Sequence, residues 1–207
     1  MKYLRILSAL LFLISTISYS QLGFGIKGGI DFASLAGGGT PSNAKSLTTF
    51  SAGAYLEIPI PSFFILQPEV FFARKGFVQQ YGVDLSRIPQ IPIGYKATMT
   101  LSYLEIPVLL KYTFDVPIVQ PSVYAGPGVA ILLSANQNIN YSNNDNLNIA
   151  LTGSMAPLDP ELLFGASVRV AIVRIDARYS RGFVSVIRAG GGGFNSVWSV
   201  MAEVPLY

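Results

Sequence analysis

Leu22-Gly23-Phe24-Gly25-Ile26-Lys27-Gly28-Gly29-Ile30-Asp31-Phe32 alternates without a break. Its even positions are Leu22, Phe24, Ile26, Gly28, Ile30 and Phe32, and its odd positions are Gly23, Gly25, Lys27, Gly29 and Asp31. Successive side chains on a strand point to opposite faces, so a period of two predicts a strand with one apolar face. The opposite face mixes glycine with charge.

The same rhythm recurs to the end of the chain. A second strand sets Phe50, Ala52, Ala54, Leu56 and Ile58 against Thr49, Ser51, Gly53, Tyr55 and Glu57. After a Pro59-Ile60-Pro61-Ser62 turn, a third sets Phe64, Leu66, Pro68, Val70 and Phe72 against Gln67, Glu69 and Phe71. The fourth runs over 103–111, with Leu104, Ile106, Val108 and Leu110 on its apolar side and Glu105 and Lys111 on the other. Phe114 to Pro117 forms a short turn, and a fifth strand covers 121–131. A sixth over 161–170 carries Glu161 and Arg169 opposite its apolar face. Ala171-Ile172 turns into a seventh over 173–180, with Arg174, Asp176 and Arg178. The last, 198–206, carries Glu203 opposite Trp198, Val200, Ala202, Val204 and Leu206. The intervening stretches 34–46, 75–96, 134–157 and 182–193 are expected to be long loops. Eight strands in four hairpins, joined by alternating long and short connections, predict an all-β, eight-stranded antiparallel up-and-down barrel with both termini on the short-turn side.

Composition decides which way the barrel faces. Of 207 residues, 51% are hydrophobic and only 12% charged, where an ordinary soluble domain has about 25% charged. Such a chain is not disordered. Beyond the extreme N-terminus it has no run of 18 apolar residues, and a spanning helix needs about 20. Only helices and closed barrels satisfy their backbone in lipid, so high hydropathy without spanning helices predicts a transmembrane β-barrel. A soluble barrel would need a charged exterior. Here the strand charges fall on one face, the cations Lys27, Lys111, Arg169, Arg174 and Arg178 with the anions Asp31, Glu57, Glu69, Glu105, Glu161, Asp176 and Glu203. Near-balance suits a closed interior, where an unpaired buried charge is very costly. Eight strands enclose a lumen that side chains can fill, so the expectation is a structural, ion-paired plug. A conduction path through the same charges is the alternative.

The chain has no histidine and no cysteine. Histidine-based triads, thiolate nucleophiles, disulfides and Cys or His metal sites are excluded, and the protein is expected not to be an enzyme and to need no metal or cofactor. Glu69 and Glu105 could pair as acid and base, but Arg174 and Arg178 are plausible structural partners across the lumen. Gly190 to Gly193 joins two strands, whereas a phosphate-cradling loop opens a helix.

Residues 1–20 read as a secretory signal peptide. Lys2 and Arg5 precede an apolar core from Ile6 to Ile14, and Ser18 and Ser20 fit a cleavage site before Gln21. The barrel domain is then 21–207 and its destination the bacterial outer membrane. Without Lys2 and Arg5 the formal charge falls from +3 to +1, which leaves no footprint for nucleic acid.

Gly25-Ile26-Lys27-Gly28-Gly29, Leu66-Gln67-Pro68-Glu69, Tyr103-Leu104-Glu105-Ile106-Pro107, Tyr124-Ala125-Gly126-Pro127 and Ala177-Arg178-Tyr179-Ser180-Arg181-Gly182 resemble the PorT-like family of small outer-membrane β-barrels. The resemblance implies a barrel in outer-membrane lipid, inserted by the outer-membrane assembly machinery, and its namesake serves a protein secretion system. It also implies a terminal outward aromatic, whereas strict alternation turns Leu206 outward and Tyr207 inward. Pro68 and Pro107 lie at similar depth, where a bend or bulge is expected. The functions that follow are a structural or accessory barrel whose long external loops meet a protein partner or surface, or a small passive channel.

Overall fold

The structure, a computed structural model, describes residues 22–41, 43–60, 63–82, 94–116, 119–141, 146–189 and 192–206. The leader and Tyr207 lie outside the described residues. Every alternating stretch is a strand: β1 (Gly23–Ala36), β2 (Ala44–Ile60), β3 (Phe64–Gly82), β4 (Gly94–Thr113), β5 (Gln120–Tyr141), β6 (Asn146–Ala150), β7 (Leu158–Val170), β8 (Val173–Ser185) and β9 (Phe194–Pro205). Each pairs antiparallel with its neighbour, and β1 pairs with both β2 and β9, which closes the ring. Eight strands make the barrel. The short β6 pairs with the upper end of β5, above the point where β7 takes over that edge.

Two expected loops are corrected by this arrangement. Much of 75–96 is strand, because β3 runs to Gly82 and β4 begins at Gly94; the remainder, 83–93, lies outside the described residues. Much of 134–157 is a hairpin formed by the upper half of β5 with β6, followed by a single 3₁₀ turn at Thr152–Ser154. The reason is a change of phase. One register shift falls between Ser46 and Ser51 on β2, opposite Gly76, whose φ is +148°. Another falls between Ser102 and Tyr103, where Ser102 faces Ser134 but Tyr103 faces Leu132, leaving Leu133 as an extra residue on β5. A bulge moves the side chains beyond it to the other face, so period-two alternation breaks there although the strand does not.

The prolines act differently from the bulge allowed for at Pro68 and Pro107. Pairing lapses between Tyr55/Glu69 and Ile58/Leu66, between Pro68/Val108 and Phe71/Glu105, and between Pro107/Gly128 and Leu110/Ala125. The register is the same on both sides of each gap. Three neighbouring strand pairs thus lose ladder contacts without slipping, as expected where proline lacks a backbone N–H. On the outer wall at this level lies an apolar cavity of about 370 Å³, lined by Phe24, Ile26, Leu56, Pro68, Val70 and Ile106 among others.

The two faces separate as alternation requires. Phe24, Ile26, Ile30, Phe32, Leu56, Val70, Leu110, Phe164, Trp198 and Val200 point outward and are exposed, while Lys27, Asp31, Glu69, Lys111, Asp176 and Glu203 are buried. Large inward rings lie over cross-strand glycines. Tyr55 faces Gly25 and Tyr124 faces Gly165, and a methyl group on either glycine would collide with the tyrosine hydroxyl. Glycine is needed there so that the long polar side chains can reach across the lumen.

Candidate functional site

Among the described residues the charged and hydrogen-bonding side chains concentrate in the lumen, and the strands fix their depth. Nearest the short turns, Lys27 on β1 lies 2.8 Å from Glu203 on β9, 3.1 Å from Asp176 on β8 and 3.6 Å from Glu69 on β3. Arg174 reaches Glu203 at 2.6 Å and Glu57 at 2.9 Å. Lys111 reaches Glu57 at 3.0 Å and Glu203 at 3.8 Å. Arg178 holds Glu69 at 2.7 Å and also donates through Nε to the Tyr124 hydroxyl, which in turn donates to Asp176 at 2.8 Å. Gln67 links the two sides, accepting from Lys111 at 2.9 Å and donating to Glu69 at 2.7 Å. Lys27, Lys111, Arg174 and Arg178 thereby match Glu57, Glu69, Asp176 and Glu203 in one connected, charge-balanced network.

A second group sits toward the long connections. The Lys75 ammonium bridges Glu105 at 2.6 Å and Glu161 at 2.7 Å, and lies over the Tyr103 ring. Beside it, Asp159 accepts from the backbone N–H groups of Phe183 and Val184 and from Asn195 Nδ2. Between the two groups the interior leaves a void of about 10 Å³, bordered by Asp31, Ser51, Lys75, Glu105, Arg178 and Ser199, which is room for roughly one water. Above them, Leu35, Met99, Leu101, Tyr103, Ala130, Ala135, Met155 and Val186 form an apolar cluster across the barrel.

Of the twelve charged residues read from the sequence, eight fall in the first network and Glu105 and Glu161 in the second. Two stand apart. Asp31 accepts from Ser51 Oγ at 3.1 Å at the edge of the void. Arg169, expected among the lumen pairs, is only half-buried, and its Nε donates to the Ala171 carbonyl at the turn. The reason is local: Arg169 sits directly opposite Arg174, and the more deeply placed Arg174 takes the carboxylates.

The sequence reading omitted Lys75, Gln67 as a bridge, Tyr124, Asp159 and Asn195. Lys75 shares the parity of Gln67, Glu69, Phe71 and Ala73, so continuing β3 inward would have found it. Glu69 and Glu105 do not form a carboxylate pair: each is held by its own cation, Arg178 with Lys27 for the first and Lys75 for the second. Among the described residues no group of three or more acidic, histidine or cysteine side chains is arranged to hold a metal ion.

Solved structures match the chain over most of its length at low identity. Ail, the attachment invasion locus protein of Yersinia pestis, is 12% identical over 89% of this chain and 98% of its own, with a TM-score of 0.43. Neisserial surface protein A is 15% identical over 87% and 96%, with a TM-score of 0.44. The outer membrane enzyme PagL is 14% identical over 89% and 99%, with a TM-score of 0.45. Nothing among the curated proteins matches the chain significantly. The family model described as the outer membrane protein beta-barrel domain matches residues 15–188, most of the chain. A closed eight-stranded barrel, apolar outside and charged within, together with that match, makes this chain a member of the outer membrane protein beta-barrel domain family.

Proposed function

We propose that the protein is a structural or accessory barrel of the PorT-like kind, sealed to ions and presenting its long-connection end to a protein partner or surface. The observation that carries this reading is the connected network of eight charged side chains, each ion-paired to a neighbour and stacked beneath an apolar cluster. Charges arranged for mutual pairing support a plug, whereas a conducting lumen needs sites that bind ions weakly enough to release them. Outside the ring, the upper halves of β3, β4 and β5 with β6 supply a sheet for contact. The other partners in this reading are outer-membrane lipid and, during insertion, the assembly machinery.

The rival reading is a small passive channel. PagL is an outer membrane enzyme, but a chain without histidine or cysteine, whose lumen carboxylates are each occupied, favours a non-enzymatic role here. Planar bilayers separate plug from channel. The purified barrel, inserted at known copy number, is expected to give no steady conductance; stepwise, persistent conductance would support the channel instead.

A further inference from the structure

We infer that the outer edge of β6 captures an extended polypeptide segment by strand addition; this rests on the accessory reading and names the kind of partner and its mode of attachment. The sheet order ends at β6, which pairs with β5 over Asn136–Asn140 and, among the described residues, with no second strand. The Leu151 N–H donates to the Ala135 carbonyl at 2.9 Å, which fixes the parity of this ladder. Hydrogen-bonded and non-hydrogen-bonded pairs alternate in an antiparallel ladder, so Ile149 and Leu147 also bond inward to β5. The backbone N–H and C=O groups of Asn146, Asn148 and Ala150 therefore face the open edge.

Edge strands that stay single are ordinarily blunted by shortness, lysine, proline, a bulge or a cover; β6 is short, at five residues, but among the described residues shows none of the other devices. Asn146-Leu147-Asn148-Ile149-Ala150 has no charge and no proline, and its register with β5 is regular over all five pairs. Unmet backbone groups spaced along a strand are complementary to another extended backbone, with alternate side chains supplying specificity. Leu147 and Ile149 lie on one face of β6, Asn146, Asn148 and Ala150 on the other, and Asn138 Nδ2 already donates to Asn148 Oδ1 at 2.7 Å across the hairpin. The fitting segment alternates aliphatic and amide side chains.

A second copy in the same membrane is the poorer occupant. Two copies sharing one membrane are related by an axis along the membrane normal. That rotation makes two strands antiparallel only if they lie in the membrane plane, and parallel only if they stand along the normal. β6 runs antiparallel to β5, a barrel strand, and barrel strands are tilted by about 35–45°, which satisfies neither.

The test uses the full barrel in detergent and a labelled synthetic peptide of its own β5 sequence, Ala135 to Tyr141, the strand that β6 already recognises on its other edge. Asn148→Pro removes one outward N–H and the side-chain bond from Asn138 but leaves the backbone bonds to β5 in place, because proline is tolerated where its nitrogen faces an open edge. Asn148→Ala removes the side-chain amide and keeps the N–H. Heat-modifiable gel migration shows that each variant is folded. Wild type and Asn148→Ala are expected to bind the peptide saturably, and Asn148→Pro at least tenfold more weakly. Absence of saturable binding to wild type, or equal binding by folded Asn148→Pro, overturns strand addition and leaves the sealed-barrel reading standing. Steady conductance in bilayers, by contrast, ends that reading without altering the peptide result.

Discussion

Glu203→Ala is expected to destabilise the barrel by about 3–5 kcal/mol, the cost of removing one partner from a buried ion pair. Glu203 is fully buried and meets three cations: Lys27 at 2.8 Å, Arg174 at 2.6 Å and Lys111 at 3.8 Å. Its loss leaves four cations against Glu57, Glu69 and Asp176 in a largely buried interior, where low dielectric makes an uncompensated charge costly. Urea unfolding from lipid vesicles measures the effect. The single tryptophan, Trp198, is exposed on the outer face of β9 and reports transfer from lipid to water. Asp115→Ala, at an exposed position beside the short turn after β4, serves as the control and should stay within about 0.5 kcal/mol of wild type. Equal midpoints for Glu203→Ala and the control would show that the network contributes nothing.

The second large effect is at Lys75. Lys75→Met keeps an unbranched chain of similar length and deletes the charge, so Glu105 and Glu161 lose the ammonium that both of them contact. Asp31 and Asp159 lie on the same side of the lumen, and Lys75 is the cation that forms ion pairs there. The expected destabilisation is again about 3–5 kcal/mol. Neutralising one carboxylate should then relieve part of it: the double variant Lys75→Met/Glu161→Gln is expected to be more stable than the sum of its singles by roughly 1–3 kcal/mol, as contacting residues couple. Strict additivity would mean that Lys75 and Glu161 act independently, contrary to the 2.7 Å contact.

The contrast between these two residues shows what was legible in the sequence. Glu203 stands in an unbroken alternation, so its inward direction follows from Trp198, Val200, Ala202 and Val204 alone. Lys75 keeps the parity of Glu69 and Ala73 but is the last inward residue before Gly76, opposite the β2 register shift, where the period-two signal fails although the chain stays extended. The β5–β6 hairpin was hidden behind the extra residue Leu133 and an asparagine-rich composition that reads as loop, while Asp159 lies at the start of β7 beside Pro160, just ahead of the stretch where alternation is legible. Alternation gives the face of a side chain but not its partner. Which cation meets which carboxylate depends on strand stagger around the ring, and so the grouping of Lys27 with Glu203 or Arg178 with Glu69 could not be read in advance. Arg169 shows the remaining limit: it has inward parity but sits at the rim, one pair from the turn, where Arg174 outcompetes it. At the prolines the sequence indicated depth correctly and mechanism only in part, because missing N–H groups opened the ladder without inserting a residue.

A sealed, side-chain-filled lumen is tested most directly by a chemical probe of its middle, which the absence of native cysteine makes clean. Ser199 borders the small void between the two ion-pair groups and is 8% exposed, whereas Asn148 on β6 is exposed. In membranes, Asn148→Cys should react to completion with a charged methanethiosulfonate reagent, while Ser199→Cys stays unmodified until the barrel is unfolded. Modification of Ser199→Cys in the folded barrel at the rate of Asn148→Cys would contradict a plugged interior.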